Sequence, residues 1–262
     1  MKILLTGANG FVGNKIKTTL ESIVEAPSLR EMTKKEVERI IKESDADVII
    51  HTAAISDTLT CQKHPEISYQ ANVMLPTWIA ETACEKKIIC FSSDQVYNDC
   101  EKEGPYMEAD AKTSSIYGKH KLEMEQRVLE NSPNAVVLRA EWMYDYISSR
   151  GNYLLNLLKE EDTVAFSSKQ YRGITYLGEV GDNIKNVIKL PGGIYNFGSE
   201  TNQSMMEITQ EVLRLLGKKI KVQEAEPRHN LWMNCRKAEE QGIVFSDVLV
   251  GLKKCLKEYE LI

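Results

Sequence analysis

Residues 1–13 read MKILLTGANGFVG, an apolar run followed by three glycines at three-residue spacing. Residues 2–6 predict a buried strand, and the apolar pattern through Ile16 and Leu20 predicts a helix directly after the glycines. Glycines in such a turn let backbone N–H groups approach a pyrophosphate and let the helix pack close to the strand. The helix N-terminus adds oriented donors and partial positive charge. We therefore predict a dinucleotide site here, with a purely structural strand-to-helix turn as the alternative.

Strand-like and helical patterns alternate through the first 140 residues. Short apolar runs at 23–25, 47–50, 88–92 and 135–139 continue the series of strands that residues 2–6 begin. Near-continuous apolar strands separated by helices indicate a parallel sheet that is covered on both faces. The predicted fold class is therefore α/β, with a doubly wound parallel sheet.

The helices are predicted from their caps and their apolar spacing. The sequence TKKE at 33–36 is typical of a capping box, and it opens a helix with Val37, Ile40 and Ile41 on its inner face. A longer helix is predicted over 67–86, where apolar residues recur at helical spacing. The elements predicted in the less regular second half are a strand at 193–197, a helix from the capping box at 204–207 to Gly217, and a last helix over 246–259.

The composition argues against several classes of function. The 262 residues carry a formal charge of −5 and no long basic run, so we expect no nucleic-acid partner. No apolar stretch approaches the length of a membrane span, and the first residues lead directly into a strand, so we expect neither a membrane protein nor a signal peptide. The six cysteines form no CxxC pair and the four histidines show no metal-ligand spacing. We expect reduced thiols, no metal and a cytoplasmic location.

A second candidate site is the pair Tyr117 and Lys121. Tyrosine and lysine four residues apart on a helix present their side chains on one face. A nearby ammonium favours the phenolate, which suits tyrosine for proton transfer near neutral pH. Ser93 follows a predicted parallel strand, at the edge where ligands bind in such sheets, and its hydroxyl could hydrogen-bond a substrate carbonyl. An ordinary surface pair on a helix is the alternative interpretation.

Glu25 is the candidate for recognition of the adenosine ribose. An acidic residue at the end of the second strand normally has this role in a dinucleotide fold. Pro27 follows closely and the strand is short, which favours a solvated loop carboxylate instead. The sequence therefore leaves open whether the cofactor is NAD or NADP.

With these motifs in place, the chain resembles the extended short-chain dehydrogenase/reductases, and most of all the dTDP-4-dehydrorhamnose reductase family. The segment SSDQVY at 92–97 is similar to the family's Ser-Thr-Asp-Tyr-Val-Phe, and LRAEWMY at 138–144 is similar to its Leu-Arg-Thr-Ser-Trp-Val-Tyr. The other segments that carry the resemblance are 6–13, 51–54, 71–73, 106–108, 117–121, 173–176, 193–198 and 228–231.

The resemblance implies a Rossmann-like domain over 1–145. It also implies a small C-terminal lobe over 146–262 that mainly binds substrate, with some segments returning to the first domain. The implied reaction is transfer of hydride from NAD(P)H to C4 of a nucleotide-linked 4-keto sugar. Tyr117 would protonate the new alkoxide, Lys121 would tune Tyr117 and hold the ribose, and Ser93 would orient the ketone. A homodimer is a further expectation from the family.

The resemblance assigns roles to single residues. The implied catalytic residues are Ser93, Tyr117 and Lys121. The implied cofactor-binding residues are Gly7, Asn9, Gly10, Phe11, Val12, Gly13, Ala53, Ala54, Asn72, Tyr117 and Lys121. The implied substrate-binding residues are Ser93, Trp142 and Arg228, although Trp142 could equally be a core residue.

The chain departs from the family pattern in several places. Leu59 and Gln62 stand where acidic residues are usual, the segment 113–115 lacks the proline before the active-site tyrosine, and Asp145 replaces a glycine. We expect several of these positions to lie near the substrate or the adenosine. Two other readings therefore remain: a related epimerase or dehydratase, and a non-catalytic NAD(P)-binding protein like the regulatory subunit of methionine adenosyltransferase.

Overall fold

The computed structural model describes residues 1–83, 85–148, 151–226 and 230–262. A six-stranded sheet lies at its centre, with the strand order β2-β1-β3-β4-β5-β9 and every neighbouring pair parallel. The strands are β1 (Ile3–Thr6), β2 (Ile23–Glu25), β3 (Val48–His51), β4 (Lys87–Ser93), β5 (Val136–Ala140), β6 (Trp142–Tyr144), β7 (Thr163–Phe166), β8 (Ile174–Tyr176), β9 (Gly193–Phe197) and β10 (Lys221–Glu224).

Helices cover both faces of the sheet. They are α1 (Phe11–Thr19), α2 (Lys34–Glu43), α3 (Thr58–Lys63), α4 (Pro65–Tyr69), α5 (Leu75–Ala83), α6 (Ile116–Asn131), α7 (Tyr153–Lys159), α8 (Leu177–Val187), α9 (Met205–Leu215), α10 (Arg236–Glu239) and α11 (Val248–Glu258). One apolar core joins α1 and α8 to the sheet, and a second joins α2, α5 and α6 to its other face. The predicted α/β class with a doubly wound parallel sheet is confirmed.

The helix predicted over 67–86 is present without a gap over 65–83, and it contains a π-helical turn. The chain forms α4, then a π-helical segment at Gln70–Met74, then α5. Pro76 has no N–H to donate to the carbonyl of Asn72, and the wider π turn has the Leu75 N–H bonded to the carbonyl of Gln70 instead. This irregular turn brings the Asn72 side chain toward the loop after β3.

Both predicted capping boxes are present. The side chains of Thr33 and Glu36 bond each other's backbone at the start of α2, where Val37 and Ile41 are buried and Ile40 is only partly so. Ser204 and Glu207 make the same arrangement at the start of α9. Gly217 follows that helix with φ 64°, a conformation that glycine adopts without strain.

A third apolar core lies outside the central sheet. It is formed by α7, α9, α11 and the strand pair β6–β8, and the parallel pair β7–β10 packs along α9. β6 continues directly from β5 after Glu141. The chain that leaves the central sheet at β5 therefore builds the wall that faces the carboxyl ends of the strands.

Two further properties concern only the described part of the chain. There, no helix combines the length and apolar character needed to span a bilayer, and no three His, Cys, Asp or Glu side chains lie together as metal ligands would. Four cysteine thiols are buried and that of Cys100 is partly buried, whereas Cys84 lies outside the described residues. Burial raises the pKa of Cys90 to about 12, which keeps this thiol protonated.

Candidate active site

A cavity of about 1060 Å³ lies at the carboxyl ends of β1, β3, β4 and β5. The chain enters the sheet at β1, turns to β2 on one side and then crosses to β3 on the other. Such a reversal leaves a crevice beyond the strand ends, which is where open parallel sheets bind ligands. The cavity therefore lies where the fold predicts a site.

The glycine-rich turn forms one end of this cavity. Gly7 has φ 73°, and a Cβ there would come within 2.7 Å of the Ala53 nitrogen. Gly10 caps α1 without a side-chain hydrogen bond, so the first N–H groups of the helix remain available, and Gly10, Phe11 and Val12 line the cavity. We call residues 7–12 with the loop 26–31 the glycine end. Its uncapped helix terminus fits the pyrophosphate of a dinucleotide.

Gly13 does not line the cavity, although it was predicted to bind the cofactor. A Cβ at Gly13 would overlap the carbonyl oxygen of Gly7. The absence of a side chain at Gly13 therefore lets α1 pack closely onto the turn.

The loop after β2 forms the other wall of the glycine end. Residues 26–31 line the cavity, whereas Glu25 does not: its carboxylate is exposed and lies 3.3 Å from the Lys17 ammonium. The solvated carboxylate, rather than a ribose ligand, is what the structure contains. Ser28 and Arg30 in the wall were missed, although a basic residue after the second strand is a known signal for a 2′-phosphate.

The loop after β3 carries Ala53 and Ala54, which line the cavity as predicted. Asn72 does not line it. Its side-chain amide is 1% exposed and bonds both the N–H and the carbonyl of Ile55 at 2.9 Å. Asn72 thus clamps the loop that faces the cavity, because the π-helical turn directs it there.

Ser93, Tyr117 and Lys121 meet on one side of the cavity. Ser93 ends β4, and its hydroxyl donates to Asp94 Oδ1 at 3.1 Å. Tyr117 lies in the first turn of α6, which begins at the N-cap Ser115. The Lys121 ammonium lies 5.8 Å from the centre of the Tyr117 ring. Residues from two separate elements are therefore brought together as the spacing predicted.

Lys121 is held in a nearly closed environment. Its side chain is 3% exposed, and Nζ donates to the carbonyl oxygen of Phe91 at 2.8 Å. Burial lowers the pKa of Lys121 to about 8, an effect that the Glu125 carboxylate partly opposes. The ammonium is therefore charged at neutral pH but close to losing its proton.

A buried ion pair anchors α6 to the sheet. Glu125, one turn after Lys121, accepts from Arg139 of β5 at 2.6 Å and from the Ser92 hydroxyl at 2.5 Å, and both charged side chains are 3% exposed. Arg139 also donates to the Tyr97 hydroxyl, which in turn donates to Asn196 of β9. These bonds fix Tyr117 and Lys121 relative to Ser93.

The far end of the cavity is built from charged side chains. We call Asp94, Glu141 and Arg172, all in the cavity wall, the polar corner. Arg172 lies 2.6 Å from Asp94 and places its guanidinium 5.3 Å from the centre of the Trp142 ring. Trp142 is partly exposed to the cavity, and its ring meets Tyr153 edge-on. Burial raises the pKa of Glu141 well above its usual range, an effect that the hydrogen bond from Thr175 partly opposes.

Comparison with known proteins gives the family. The model of the RmlD substrate binding domain matches residues 1–259. The chain belongs to this family. It is 29% identical over 217 residues to the dTDP-4-dehydrorhamnose reductase of Aggregatibacter actinomycetemcomitans, covering 76% of this chain and 74% of that protein.

Solved structures share the fold of this RmlD-family chain. A dTDP-4-dehydrorhamnose reductase from Clostridium acetobutylicum has a TM-score of 0.88 at 23% identity, covering 99% of this chain and all of that one. The Bacillus anthracis dTDP-4-dehydrorhamnose reductase in complex with NADP has a TM-score of 0.86 at 20% identity, covering 98% and 100%. The extended short-chain dehydrogenase/reductase fold that the motifs indicated is thereby confirmed.

Most departures from the family pattern lie away from the cavity. Leu59 is 63% exposed on α3 and does not line it, nor do Gln62 and the segment 113–115. Asp145 is buried behind the wall, where it accepts from the Tyr146 N–H. These positions therefore do not form part of the cavity wall. The loop 26–31 does line the cavity, and Arg228 lies outside the described residues.

Proposed function

We propose that this RmlD-family chain is an NAD(P)H-dependent reductase of a nucleotide-linked 4-keto sugar. The observation that carries the proposal is the meeting of Ser93, Tyr117 and Lys121 on a cavity whose other end is the glycine turn. When bound, the reduced nicotinamide supplies the hydride. The relatives that are named as dTDP-4-dehydrorhamnose reductases support this activity.

In this proposal the three side chains act on the carbonyl oxygen and its proton. The Ser93 hydroxyl turns from Asp94 to donate a hydrogen bond to the ketone, which orients it and stabilises developing negative charge. Tyr117 gives its phenolic proton to the alkoxide that forms. The Lys121 ammonium stabilises the resulting phenolate, and solvent returns the proton to Tyr117. Trp142 packs against the sugar ring in this arrangement.

The cavity also supports a cofactor preference. Arg30 lines the glycine end, whereas Glu25 points away and is paired with Lys17. A guanidinium beside the adenosine ribose favours a 2′-phosphate through charge-assisted hydrogen bonds. We infer that NADPH is preferred over NADH. Residues 1–145 then mainly bind cofactor, and residues 146–262 mainly bind substrate.

The deciding assay follows absorbance of the reduced nicotinamide with freshly generated dTDP-4-keto-6-deoxy sugar, once with NADPH and once with NADH. Oxidation of the cofactor that depends on the sugar is expected, and it should be faster at low NADPH than at equal NADH. If NADPH binds, by fluorescence, yet no 4-keto nucleotide sugar is reduced, the reductase proposal fails and a regulatory role takes its place. The homodimer and the cytoplasmic location stay predictions, which light scattering and cell fractionation check.

A further inference from the structure

Two polar atoms in the polar corner are buried without a partner. They are Oε1 of Glu141 and Nε of Arg172, and neither has a hydrogen bond to any residue in the described ranges. A buried polar group that lacks a partner is costly, and native proteins contain few of them. Both side chains line the cavity, but these two atoms themselves have less than 1 Å² of exposed surface, so a ligand group reaches them only after a small shift of the side chains. The corner therefore holds one unpaired atom on each of two residues.

The backbone around Glu141 is shaped to hold a carboxyl group. Its side chain is 6% exposed, and Oε2 accepts from the Thr175 hydroxyl at 2.8 Å. A Cβ at Gly173 or at Gly198 would overlap the carboxyl group from either side. Since Oε2 already accepts from Thr175, Oε1 is the oxygen that is left to bond a ligand. The carboxyl is thus fixed in place with one oxygen unpaired.

Arg172 is fixed in the same way. One terminal nitrogen bonds Asp94 Oδ2, and the guanidinium plane is held near the face of Trp142. The Nε–H is the donor left over. Since Trp142 is the residue expected to pack against the sugar, a ligand ring there would lie beside both unused groups.

The chemistry of the corner selects among sugar substituents. A methyl group would leave both atoms unpaired, and an ammonium cannot accept from the Arg172 Nε–H. A carboxylate or phosphate would be repelled by Asp94, whose charge Arg172 only balances. A hydroxyl group can accept from the Arg172 Nε–H through a lone pair and can donate its own proton to Oε1 of Glu141. Among these, a hydroxyl fits best.

We propose that the polar corner selects the sugar, with Glu141 and Arg172 hydrogen-bonding a hydroxyl group of the nucleotide-linked substrate. The inference rests on the proposed function. It concerns a feature of this chain, since the family's Leu-Arg-Thr-Ser-Trp-Val-Tyr has serine where Glu141 stands. A sugar that lacks the hydroxyl is rejected because the two buried groups are then left unpaired.

The test combines protein variants at Glu141 with deoxy analogues of the sugar, in the manner of a double-mutant cycle. Alcohol oxidation by NADP⁺ is measured with nucleotide hexoses of both C4 configurations and with their 2-, 3- and 6-deoxy analogues. The wild-type protein is compared with Glu141→Ala, with the isosteric Glu141→Gln, and with the exposed control Glu130→Gln. Cofactor affinity, measured by fluorescence, checks that each variant is folded.

For the wild-type protein, removal of one of the three hydroxyls is expected to lower kcat/KM by about tenfold or more. Glu141→Ala should lose about as much on the parent sugar and little further on that analogue, because the two changes remove the same contact. Glu141→Gln, which keeps a donor and an acceptor, should lose less, and Glu130→Gln should match wild type.

Two results would overturn the inference. An equal loss on the parent sugars and on all their deoxy analogues in both Glu141 variants would mean that the residue is only structural. Unchanged discrimination in Glu141→Ala would mean that the corner does not read the sugar. If the wild-type protein turns over no nucleotide sugar in either direction, the proposed function and this inference fall together.

Discussion

The glycine end of the cavity is made mostly of backbone and small side chains, with Arg30 as a basic side chain in its loop, whereas the polar corner is made of charged side chains. At the glycine end, Gly7 and Gly10 keep the wall open, and the donors are the N–H groups of α1. In the polar corner, the shape depends on an ion pair between Asp94 and Arg172, which come from separate parts of the chain. A wall of backbone donors suits a ligand that many proteins share. A wall of side chains can be changed residue by residue to suit a particular one.

The largest effect is expected at Tyr117, which lies between the glycine end and the polar corner. Tyr117→Phe should lower kcat by about 10²–10⁴-fold, because it removes the proton donor and leaves both walls intact. Stopped-flow measurement of turnover gives kcat, and NADPH titration gives the cofactor affinity separately. Tyr69→Phe, which alters a tyrosine outside the cavity that bonds Glu123, is the matched control. Full activity in Tyr117→Phe would remove this residue from the proton-transfer step.

Gly10→Val tests the glycine end alone. A branched side chain at the helix N-cap would block close approach of a pyrophosphate, so NADPH affinity should fall by at least about tenfold. Fluorescence titration gives the dissociation constant. Gly217→Asn is the control, because Gly217 lies after α9 with nothing within 4 Å of a Cβ and asparagine tolerates its positive φ. Unchanged affinity in Gly10→Val would place the dinucleotide elsewhere.

The pH profile tests the site where the two ends meet. Burial lowers the pKa of Lys121 to about 8, so the ammonium is present below that pH and lost above it. If the ammonium is required, kcat/KM for ketone reduction should fall by about tenfold per pH unit above 8, as for loss of one proton from the free protein. Lys121→Met should be slower and lack this inflection. A profile that stays flat to pH 10 in the wild-type protein would show that the charge is not needed.

The smallest effect is expected at Glu25. Its exposed pair with Lys17 contributes little, so Glu25→Gln should change the ratio of NADPH to NADH activity by less than about twofold. Initial rates at low concentrations of each cofactor give the ratio. A strong shift toward NADPH in this variant would mean that Glu25 does bind the ribose. That result would give the glycine end a second charged contact beside Arg30.

The parts of the site that could be predicted are those that local sequence determines. The strand–glycine–helix turn and the four-residue spacing of Tyr117 and Lys121 are local patterns, and the structure places them on one cavity. Gly13 and Asn72 were predicted to touch the cofactor, but they support the wall from behind. Composition and spacing carry no information on which face of a turn meets a ligand. That depends on packing against residues distant in sequence.

The polar corner could not be predicted for the same reason. Glu141 and Arg172 are 31 positions apart in the chain, and neither lies in a motif that marks a substituent of the substrate. Glu141 lies within a segment that otherwise resembles the family's Leu-Arg-Thr-Ser-Trp-Val-Tyr, and the local pattern does not indicate that its glutamate in place of serine lies in the cavity wall. The π-helical turn within the helix predicted over 67–86 did have a local signal in Pro76, since proline lacks the N–H that a regular helix needs.

A chain of hydrogen bonds runs from Ser92 through Glu125, Arg139 and Tyr97 to Asn196. It bears on which parts of the site can be completed first as the chain is synthesised. The bond between Tyr97 and Asn196 joins residues 99 positions apart, and it closes only when β9 has taken its place beside β5. The glycine turn packs against Thr52 and Ala53, so the contacts that shape it lie within the first 53 residues. The helix that bears Tyr117 and Lys121 gains its full set of anchors only after residue 196 has been added. The contacts that shape the glycine end thus lie earlier in the chain than those that anchor the proton-transfer residues.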